Sequence, residues 1–246
     1  NELRCKVCQM IDYYNSEVSR LKESPTLPDN LDAWVNNNPQ EISWNRGLKE
    51  LLSKQKELSF VKEDIVISTY RPFCKEFLYF HKDFNDMQYL QKKFFPTPHH
   101  KNLVICVTDG SKQGCLITDS IPDLHFIGDS QCFPLYWYEE KKGEPEVSLF
   151  GTTNEERWTQ RDGITDWCLQ EVRSRFAGAQ SLTKEDIFYY VYGLLHSPDY
   201  RERFTDDLRK ALPRIPIVER AEEFIAFSKA GRRLAQLHLH YEDYAH

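Results

Sequence analysis

The chain has 246 residues, of which 40% are hydrophobic and 13% aromatic. This is enough apolar material for one large domain or two small ones, and it excludes a disordered chain. Lysine and arginine number 32 against 38 aspartate and glutamate residues, a formal net charge of −6, which argues mildly against a nucleic-acid surface that covers the whole molecule. No apolar run approaches the ~18 residues of a membrane span, and no signal peptide is recognisable. Because the first residue is Asn1 rather than Met, we expect a removed leader or a piece of a longer polypeptide.

Seven cysteines are spread along the chain. An odd count in a chain of this length is not typical of a secreted disulfide framework. Cys106 lies inside the apolar run 104–107, where a reduced cysteine behaves as a small hydrophobic residue. We therefore expect a reducing, cytoplasmic environment.

Helices are predicted in the first sixty residues, around a polar loop. Residues 10–22 have a helical pattern, and Pro25, Pro28 and the run Asn36-Asn37-Asn38-Pro39 break structure. A second short helix follows and ends near Lys56. We interpret residues 1–60 as a helical connector.

Residues 61–140 are rich in β-branched and aromatic runs and predict a β-rich subdomain. The gaps between the runs are too short for crossover helices, so the sheet is expected to be mostly antiparallel. Pro134 places the last run at a sheet edge or a bulge. The predicted strands are 65–70, 77–80, 103–107, 115–118 and 132–138, with turns at Asp109-Gly110 and Gly128-Asp129-Ser130.

Residues 141–246 predict a helical subdomain after a loop from Lys141 to Asn154. Thr183-Lys184-Glu185-Asp186 is a capping-box pattern and opens a helix that is apolar on nearly every side, hence buried. Ser197 caps the next helix, with Pro198 at its first position, and this helix is expected to stop before Pro213. Residues 213–217 must be extended, because they contain two prolines. The last helix is expected to present one face, formed by Phe224, Phe227, Gly231, Leu234, His238 and Tyr241. The fold class is therefore α+β: a small, mostly antiparallel sheet followed by a helical subdomain.

Two patterns could carry chemistry, and each has an ordinary alternative. Cys5 and Cys8 have metal-ligand spacing, but zinc needs two further ligands and there is no second CxxC pair; a helix end that carries two thiols is the alternative. Asp123 could orient the imidazole of His125, although such a pair is common by chance. Walker, HExxH, GxSxG and glycine-rich nucleotide motifs are lacking.

Basic and aromatic residues occur together in three places, and lysine and arginine in loops can contact phosphates or bases. The alternative is that these charges are solvated helix faces. Arg214, between two prolines, can instead be structural. The candidate nucleic-acid-binding residues are Arg71, Lys75, Lys92, Lys93, Lys101, Arg201 and Arg203.

Several of these segments, taken in order, resemble the C-terminal specificity region of Type ISP restriction–modification enzymes. The resemblance covers the chain from about Ile42 onward, and residues 1–40 could be the tail of a methyltransferase. It rests on Trp44 with Leu48, Tyr70-Arg71-Pro72-Phe73, Leu78-Tyr79-Phe80, Phe133-Pro134-Leu135-Tyr136, the run 195–204, Leu212-Pro213-Arg214-Ile215-Pro216, and the helix with Gly231, Leu234 and His238.

The resemblance implies a role in a larger enzyme. Such polypeptides carry a nuclease, a helicase-like ATPase and an adenine methyltransferase upstream, so S-adenosylmethionine, ATP and magnesium are expected there, and no cofactor, metal or catalytic residue in this portion. Its expected partners are double-stranded DNA, read by direct contacts while the methyltransferase flips out an adenine, and the upstream methyltransferase and helicase domains. Two alternatives are a scaffold module that docks those domains without contacting DNA, and an independent hydrolase that uses His125 and Asp123.

Overall fold

Helices open and close the chain and short strands lie between them, in a computed structural model that describes residues 2–25, 28, 30–108, 114–141, 157–176 and 178–244. The chain forms two compact units. The first unit consists of residues 1–67 and 77–89, and the second unit of residues 68–76 and 90–246. The division predicted from sequence, at residues 60 and 140, stays a prediction.

The helices divide between the two units. Those of the first unit are α1 (Glu2–Glu23), α2 (Leu31–Trp34) and α3 (Arg46–Ser53). Those of the second unit are α4 (Gln91–Phe94), α5 (Asp166–Arg175), α6 (Lys184–Leu195), α7 (Pro198–Arg203), α8 (Thr205–Leu208) and α9 (Ala221–Leu239), with a 3₁₀ turn at Tyr241–Tyr244.

Eight strands are described, and they form three small sheets with the orders β2-β1-β5, β4-β3-β6 and β7-β8. β3 pairs antiparallel with β4 and with β6, and β7 pairs antiparallel with β8, whereas β1 and β5 are parallel. The strands are β1 (Ile65–Arg71), β2 (Cys74–Tyr79), β3 (Val104–Thr108), β4 (Cys115–Thr118), β5 (Ile121–Pro122), β6 (Ser130–Pro134), β7 (Tyr136–Glu140) and β8 (Trp158–Asp162). The predicted α+β class with a mostly antiparallel sheet is confirmed.

The core of the first unit is built on α1, which starts earlier than the helix predicted at 10–22. Val7, Ile11, Tyr14, Val18 and Leu21 are buried along one side of it, at the three- and four-residue spacing of a helix face. The hydroxyl of Tyr14 donates to the carbonyl of Lys56 at 3.0 Å, and burial raises the pKa of this hydroxyl to about 12. Through this hydrogen bond, α1 fixes the position of the irregular segment that follows α3.

The core of the second unit lies between the sheet β4-β3-β6 and the helices α6 and α9. All five residues of β3 are buried, as expected for a central strand covered on both faces. The capping box predicted at α6 is present, since the Thr183 and Asp186 side chains each accept a hydrogen bond from the other residue's backbone N–H. The predicted burial of this helix is also confirmed: seven of its twelve residues are buried.

Two glycines allow α6 and α9 to approach closely. A Cβ atom on Gly231 would lie 2.0 Å from the carbonyl oxygen of Tyr189, and one on Gly193 would lie 2.4 Å from the carbonyl oxygen of Phe227. Since no side chain fits at these distances, backbone packs directly on backbone. The buried residues of α9 are Phe224, Ser228, Gly231 and Ala235, so its core face is rotated slightly from the predicted one.

Three predictions about strands and loops need correction. The single strand predicted at 132–138 is two strands, because Leu135 lies between the sheets and donates its N–H to the carbonyl of Leu103 at 2.7 Å. The predicted all-helical region after residue 141 contains β8. The helix predicted to run from Ser197 towards Pro213 is divided at Phe204. The predicted turn at 109–110 and the predicted loop beyond Lys141 lie outside the described residues.

No helix of the described part of the chain is long and apolar enough to cross a membrane.

Candidate nucleic-acid interface

The seven candidate cations all belong to the second unit and form three groups according to the elements that carry them. The hairpin group is Arg71 and Lys75, at the tip of the β1–β2 hairpin. The α4 group is Lys92, Lys93 and Lys101, on and after α4. The α7 group is Arg201 and Arg203.

Both cations of the hairpin group are paired with carboxylates. Arg71 Nη1 lies 2.6 Å from Asp123 Oδ1, and its guanidinium lies over the ring of Tyr70, 4.0 Å from the centroid. Lys75 Nζ lies 3.0 Å from Asp119 Oδ1. A phosphate would have to displace these carboxylates, so the hairpin group is the less available part of the predicted surface.

The hairpin tip is fixed by an aromatic contact. Phe73 has a φ of 58°, in the left-handed region that non-glycine residues seldom adopt. Its ring packs edge-on against His238 and Tyr241, with centroids 5.6 and 5.4 Å away. These contacts hold the tip against the end of α9 and offset the cost of the strained backbone.

Behind this tip, two histidines are partly removed from water. Tyr192 Oη and His238 Nδ1 are 2.6 Å apart, and the ring of His196 packs on Tyr192 with centroids 4.7 Å apart. His196 Nε2 is buried and has no partner among the described residues. Burial, together with the nearby His238 and Arg201, lowers the pKa of His196 to about 4. His196 is therefore neutral in the folded protein near neutral pH.

This lowered pKa predicts a stability that depends on pH between about 6.5 and 4. In that window the unfolded chain binds a proton at His196 and the folded chain does not, so the free energy of unfolding falls as the pH falls. Thermal unfolding of the chain and of a His196→Gln variant, measured from pH 7 to pH 4, checks this. The variant should lose less stability over the window than the parent chain. An equal loss in both proteins would contradict the assignment.

The α4 group includes the most available cations. Lys93 and Lys101 are exposed and Lys92 is half-buried. The ammonium groups of Lys93 and Lys101 form no ion pair with any carboxylate in the described part of the chain. These two lysines can therefore contact a phosphate without first losing a partner.

A buried asparagine positions this group. Asn102 is only 5% exposed, and its amide nitrogen donates to the carbonyls of Phe94, at 3.0 Å, and of Tyr136, at 2.6 Å. Its amide oxygen accepts from the backbone N–H groups of Leu103 and Tyr136. One side chain thus connects the end of α4 and the start of β7 to the residues that lead into β3.

The α7 group lies on a helix that begins as the sequence predicts. The Ser197 side chain caps α7 and Pro198 occupies its first turn. Arg201 and Arg203 are exposed on this helix. The carbonyl of Arg214 accepts a hydrogen bond from the Tyr200 hydroxyl at 2.7 Å, and the role of the Arg214 side chain stays a prediction.

The sheet β4-β3-β6 shows which groups lie together. At one end of the sheet, Thr118 pairs with Val104. Thr118 is followed by Asp119, the partner of Lys75, and Val104 follows Lys101 by three positions. Arg201 lies beside Cys115, at the opposite end of β4. Cys115 and Thr118 are about 10 Å apart, from the rise per residue of a strand. The hairpin and α4 groups therefore share one end of the sheet, and the α7 group is at the other.

The alternative chemical sites are not assembled. The backbone N–H of His125 donates to Asp123, but the side-chain partner of the imidazole is Asp129, at 3.4 Å, and Asp123 is engaged by Arg71. Cys5 and Cys8 are free thiols, as are the other five cysteines. Within the described residues, no three His, Cys, Asp or Glu side chains come together as a metal site.

Sequence reasoning missed three features of this surface: the carboxylate partners Asp119 and Asp123, the anchor Asn102, and strand β8. The β8 segment did carry a signal, since Trp158 and Thr159 are good strand formers and Gly163 follows the strand. The other two depend on contacts between residues that are distant in sequence, and no local pattern reveals them.

An α+β unit with cationic groups around a small sheet is the kind of module that can bind an anionic partner. Comparison with known proteins identifies its family. The family model "Type ISP C-terminal specificity domain" matches residues 1–246, and the chain belongs to this family. The predicted resemblance is confirmed. In a sequence comparison, no curated protein matches the chain.

Three solved structures are similar over almost the whole chain. An ATP-dependent Type ISP restriction–modification enzyme, LlaBIII, bound to DNA, is 28% identical with a TM-score of 0.75, over 97% of this chain and 14% of that one. A DrdV–DNA complex is 31% identical with a TM-score of 0.79, over 98% and 21%. A nuclease-deletion mutant of the Type ISP enzyme LlaGI with a DNA substrate mimic is 32% identical with a TM-score of 0.74, over 96% and 20%. This chain thus spans only 14% to 21% of the length of these relatives.

Proposed function

We propose that this chain recognises a specific sequence in duplex DNA as the specificity domain of a longer restriction–modification polypeptide. The observation that carries the proposal is its membership of the specificity-domain family over all 246 residues. The similarity to three structures described as DNA-bound, over 96% to 98% of the chain, supports the same partner.

The proposed contacts follow from the availability of the cations. Lys93 and Lys101 bind phosphates and fix the position of the domain on the duplex, while base edges are read in the major groove. Arg71 and Lys75, at the same end of the sheet, exchange Asp123 and Asp119 for phosphates when DNA is bound. Arg201 and Arg203 contact a separate stretch of backbone. A net charge of −6 is compatible with this, because only these local groups, and not the whole surface, have to be positive.

The chemistry of the parent polypeptide is proposed to lie outside this chain. An adenine methyltransferase with S-adenosylmethionine, together with an ATP- and magnesium-dependent motor and nuclease, would act on the DNA that this domain holds. The described residues include no cluster of three or more metal-ligating side chains. This chain contributes binding and orientation.

Reversing the charge of two neighbouring lysines of the α4 group tests the proposal. In the polypeptide that contains this chain, Lys92→Glu with Lys93→Glu should weaken DNA binding at least tenfold. It should also reduce the dependence of log K on log salt by about one to two units, because each lost phosphate contact contributes about 0.9. Binding titrations at several salt concentrations measure both quantities.

A matched control is Lys229→Glu with Arg233→Glu, the same charge change on the exposed side of α9. This control should leave the salt dependence unchanged. If reversal at Lys92 and Lys93 changes neither affinity nor salt dependence, these lysines do not contact DNA.

The scaffold alternative has one specific observation in its favour. In the first unit, Phe77, Met87 and Tyr89 are 68%, 70% and 71% exposed, and large exposed apolar side chains are typical of surfaces that contact another protein domain. If reversing the charge of all three cation groups leaves sequence-specific DNA binding intact, a docking role for the chain becomes the better explanation.

A further inference from the structure

A second feature at the α4 end of the sheet is an open groove along the two-stranded ribbon β7–β8. The groove has a volume of about 350 Å³ and is lined by His99, His100, Lys101, Tyr138, Trp158 and Gln160. Tyr138 is buried and forms its floor; the ring centroids of His100 and Tyr138 are 4.7 Å apart and their planes are nearly perpendicular. Gln160, Lys101 and His99 are exposed along its rim. The groove therefore combines an aromatic floor with hydrogen-bonding groups that face outward.

The register of the ribbon explains which side chains face the groove. Tyr138 pairs with Gln160, and Glu140 pairs with Trp158. Directly paired residues of antiparallel strands lie on the same face, and residues two apart along a strand share that face. Gln160 and Trp158 therefore project from the same side as Tyr138, while Trp137, Glu139, Thr159 and Arg161 project from the other.

The charges of the ribbon are neutralised by neighbours. Arg161 Nε lies 3.0 Å from Glu139 Oε2, and Lys184 Nζ lies 2.6 Å from Asp162 Oδ2. Glu140 is paired with Arg157. The carboxylates of the ribbon consequently repel a polyanion less than their number suggests. Lys93 and Lys101, which form no ion pair within the described residues, add positive charge on the α4 side of the groove.

The amide of Gln160 has a defined partner. The hydroxyl of Tyr138 lies 3.0 Å from the carbonyl oxygen of Lys101 and 3.4 Å from Gln160 Oε1. A hydroxyl has one proton, and the shorter contact to the carbonyl takes it. The glutamine amide then gains a hydrogen bond when Nε2 faces the tyrosine oxygen, because Nε2 can donate there. In this orientation Oε1 and the second N–H of Nε2 are both free to face a ligand.

We propose that the β7–β8 ribbon enters the major groove of DNA and that Gln160 reads an adenine. A two-stranded ribbon fits the major groove, and a glutamine amide pairs with adenine by accepting from N6 and donating to N7. These are the two groups that Gln160 leaves available. Trp158 lies beside it and contacts the methyl group of the paired thymine, while Lys101 binds the adjacent phosphate. This assignment rests on the proposed function and names the base-reading residue within it.

Selection from a duplex library with a randomised segment tests the assignment, using the polypeptide that contains this chain. The wild-type protein should yield a consensus site with at least one invariant adenine. Gln160→Leu should lose the preference at that one position, keep the rest of the consensus, and bind the wild-type site roughly ten- to a hundredfold more weakly. Gln160→Glu should shift the preference towards cytosine, whose N4 amino group donates to a carboxylate.

A control on the opposite face of the same ribbon separates base reading from folding. Thr159→Ala should leave the consensus unchanged. If the wild type yields a consensus and Gln160→Leu yields the same one, the assignment of Gln160 is overturned while the proposed function stands. If the wild type yields no consensus, the proposed function itself fails, and this assignment fails with it.

Discussion

Replacing Gly231 by alanine is expected to lower the free energy of unfolding by about 3 kcal/mol, at the upper end of the range for inserting a group into a packed core. The new Cβ would lie 2.0 Å from the Tyr189 carbonyl oxygen and 2.7 Å from the Gly193 nitrogen. Both atoms are backbone, so neither can move aside as a flexible side chain does. α6 and α9 would have to separate, and the buried contacts of Phe224 and Ala235 would loosen with them. Chemical denaturation of the two proteins measures the difference.

The sign of this effect makes it a sharp test. In an exposed helix interior, glycine to alanine stabilises by about 1 kcal/mol, so propensity alone predicts the opposite result. Ala230→Gly, at the exposed neighbouring position of α9, measures the propensity contribution in the same helix. A Gly231→Ala variant at least as stable as the parent chain would show that the helices are not in direct backbone contact.

Local sequence signals predicted where α6 and α7 begin, because the causes of these helix starts are local. The capping box at Thr183 and the Ser197-Pro198 start involve residues within one turn of each other, and their hydrogen bonds form wherever the helix forms. The close approach at Gly193 and Gly231 was not predictable, since glycine in a helix has no single meaning until its neighbour across the interface is known.

The strands were predicted less completely because their limits depend on pairing. The apolar run through residues 132–138 is continuous in sequence, yet β6 pairs with β3 and β7 pairs with β8. The parallel pair β1–β5 is held by the Ser68 hydroxyl, which donates to the carbonyl of Ile121 at 2.8 Å, 53 residues away. Composition predicts that a segment is a strand, but the partner of that strand is set by the whole fold.

The candidate nucleic-acid interface likewise has features that are local in sequence and features that depend on distant contacts. Positive side chains could be named from the sequence, but their availability could not. Arg71 and Lys75 are neutralised by carboxylates 52 and 44 positions away, whereas Lys93 and Lys101 form no ion pair within the described residues. Two clusters that look alike in sequence therefore differ in what they can offer a phosphate. This difference ranks the α4 group first among the proposed contacts.

Replacing Asn102 by alanine is expected to destabilise the second unit by about 4 kcal/mol. The substitution removes hydrogen bonds to the carbonyls of Phe94 and Tyr136 and from the N–H groups of Leu103 and Tyr136. A buried polar group that loses its partner costs about 1–3 kcal/mol, and water cannot easily replace a side chain that is 5% exposed. Thermal and chemical unfolding measure the loss, and Asn37→Ala, which removes one exposed amide contact, should change stability by less than about 0.5 kcal/mol.

The position of Asn102 adds a consequence for binding that is separate from stability. Because its amide connects α4 and β7 to β3, the variant should misplace Lys93, Lys101 and the β7–β8 ribbon together. At a temperature at which the variant remains folded, its affinity for specific DNA should fall more than its affinity for non-specific DNA, since base reading needs an exact ribbon position and phosphate contacts tolerate displacement. An equal loss of affinity for both kinds of DNA would mean that Asn102 supports the phosphate contacts and not base reading. Unchanged affinity for both would mean that α4 and the ribbon keep their places without it.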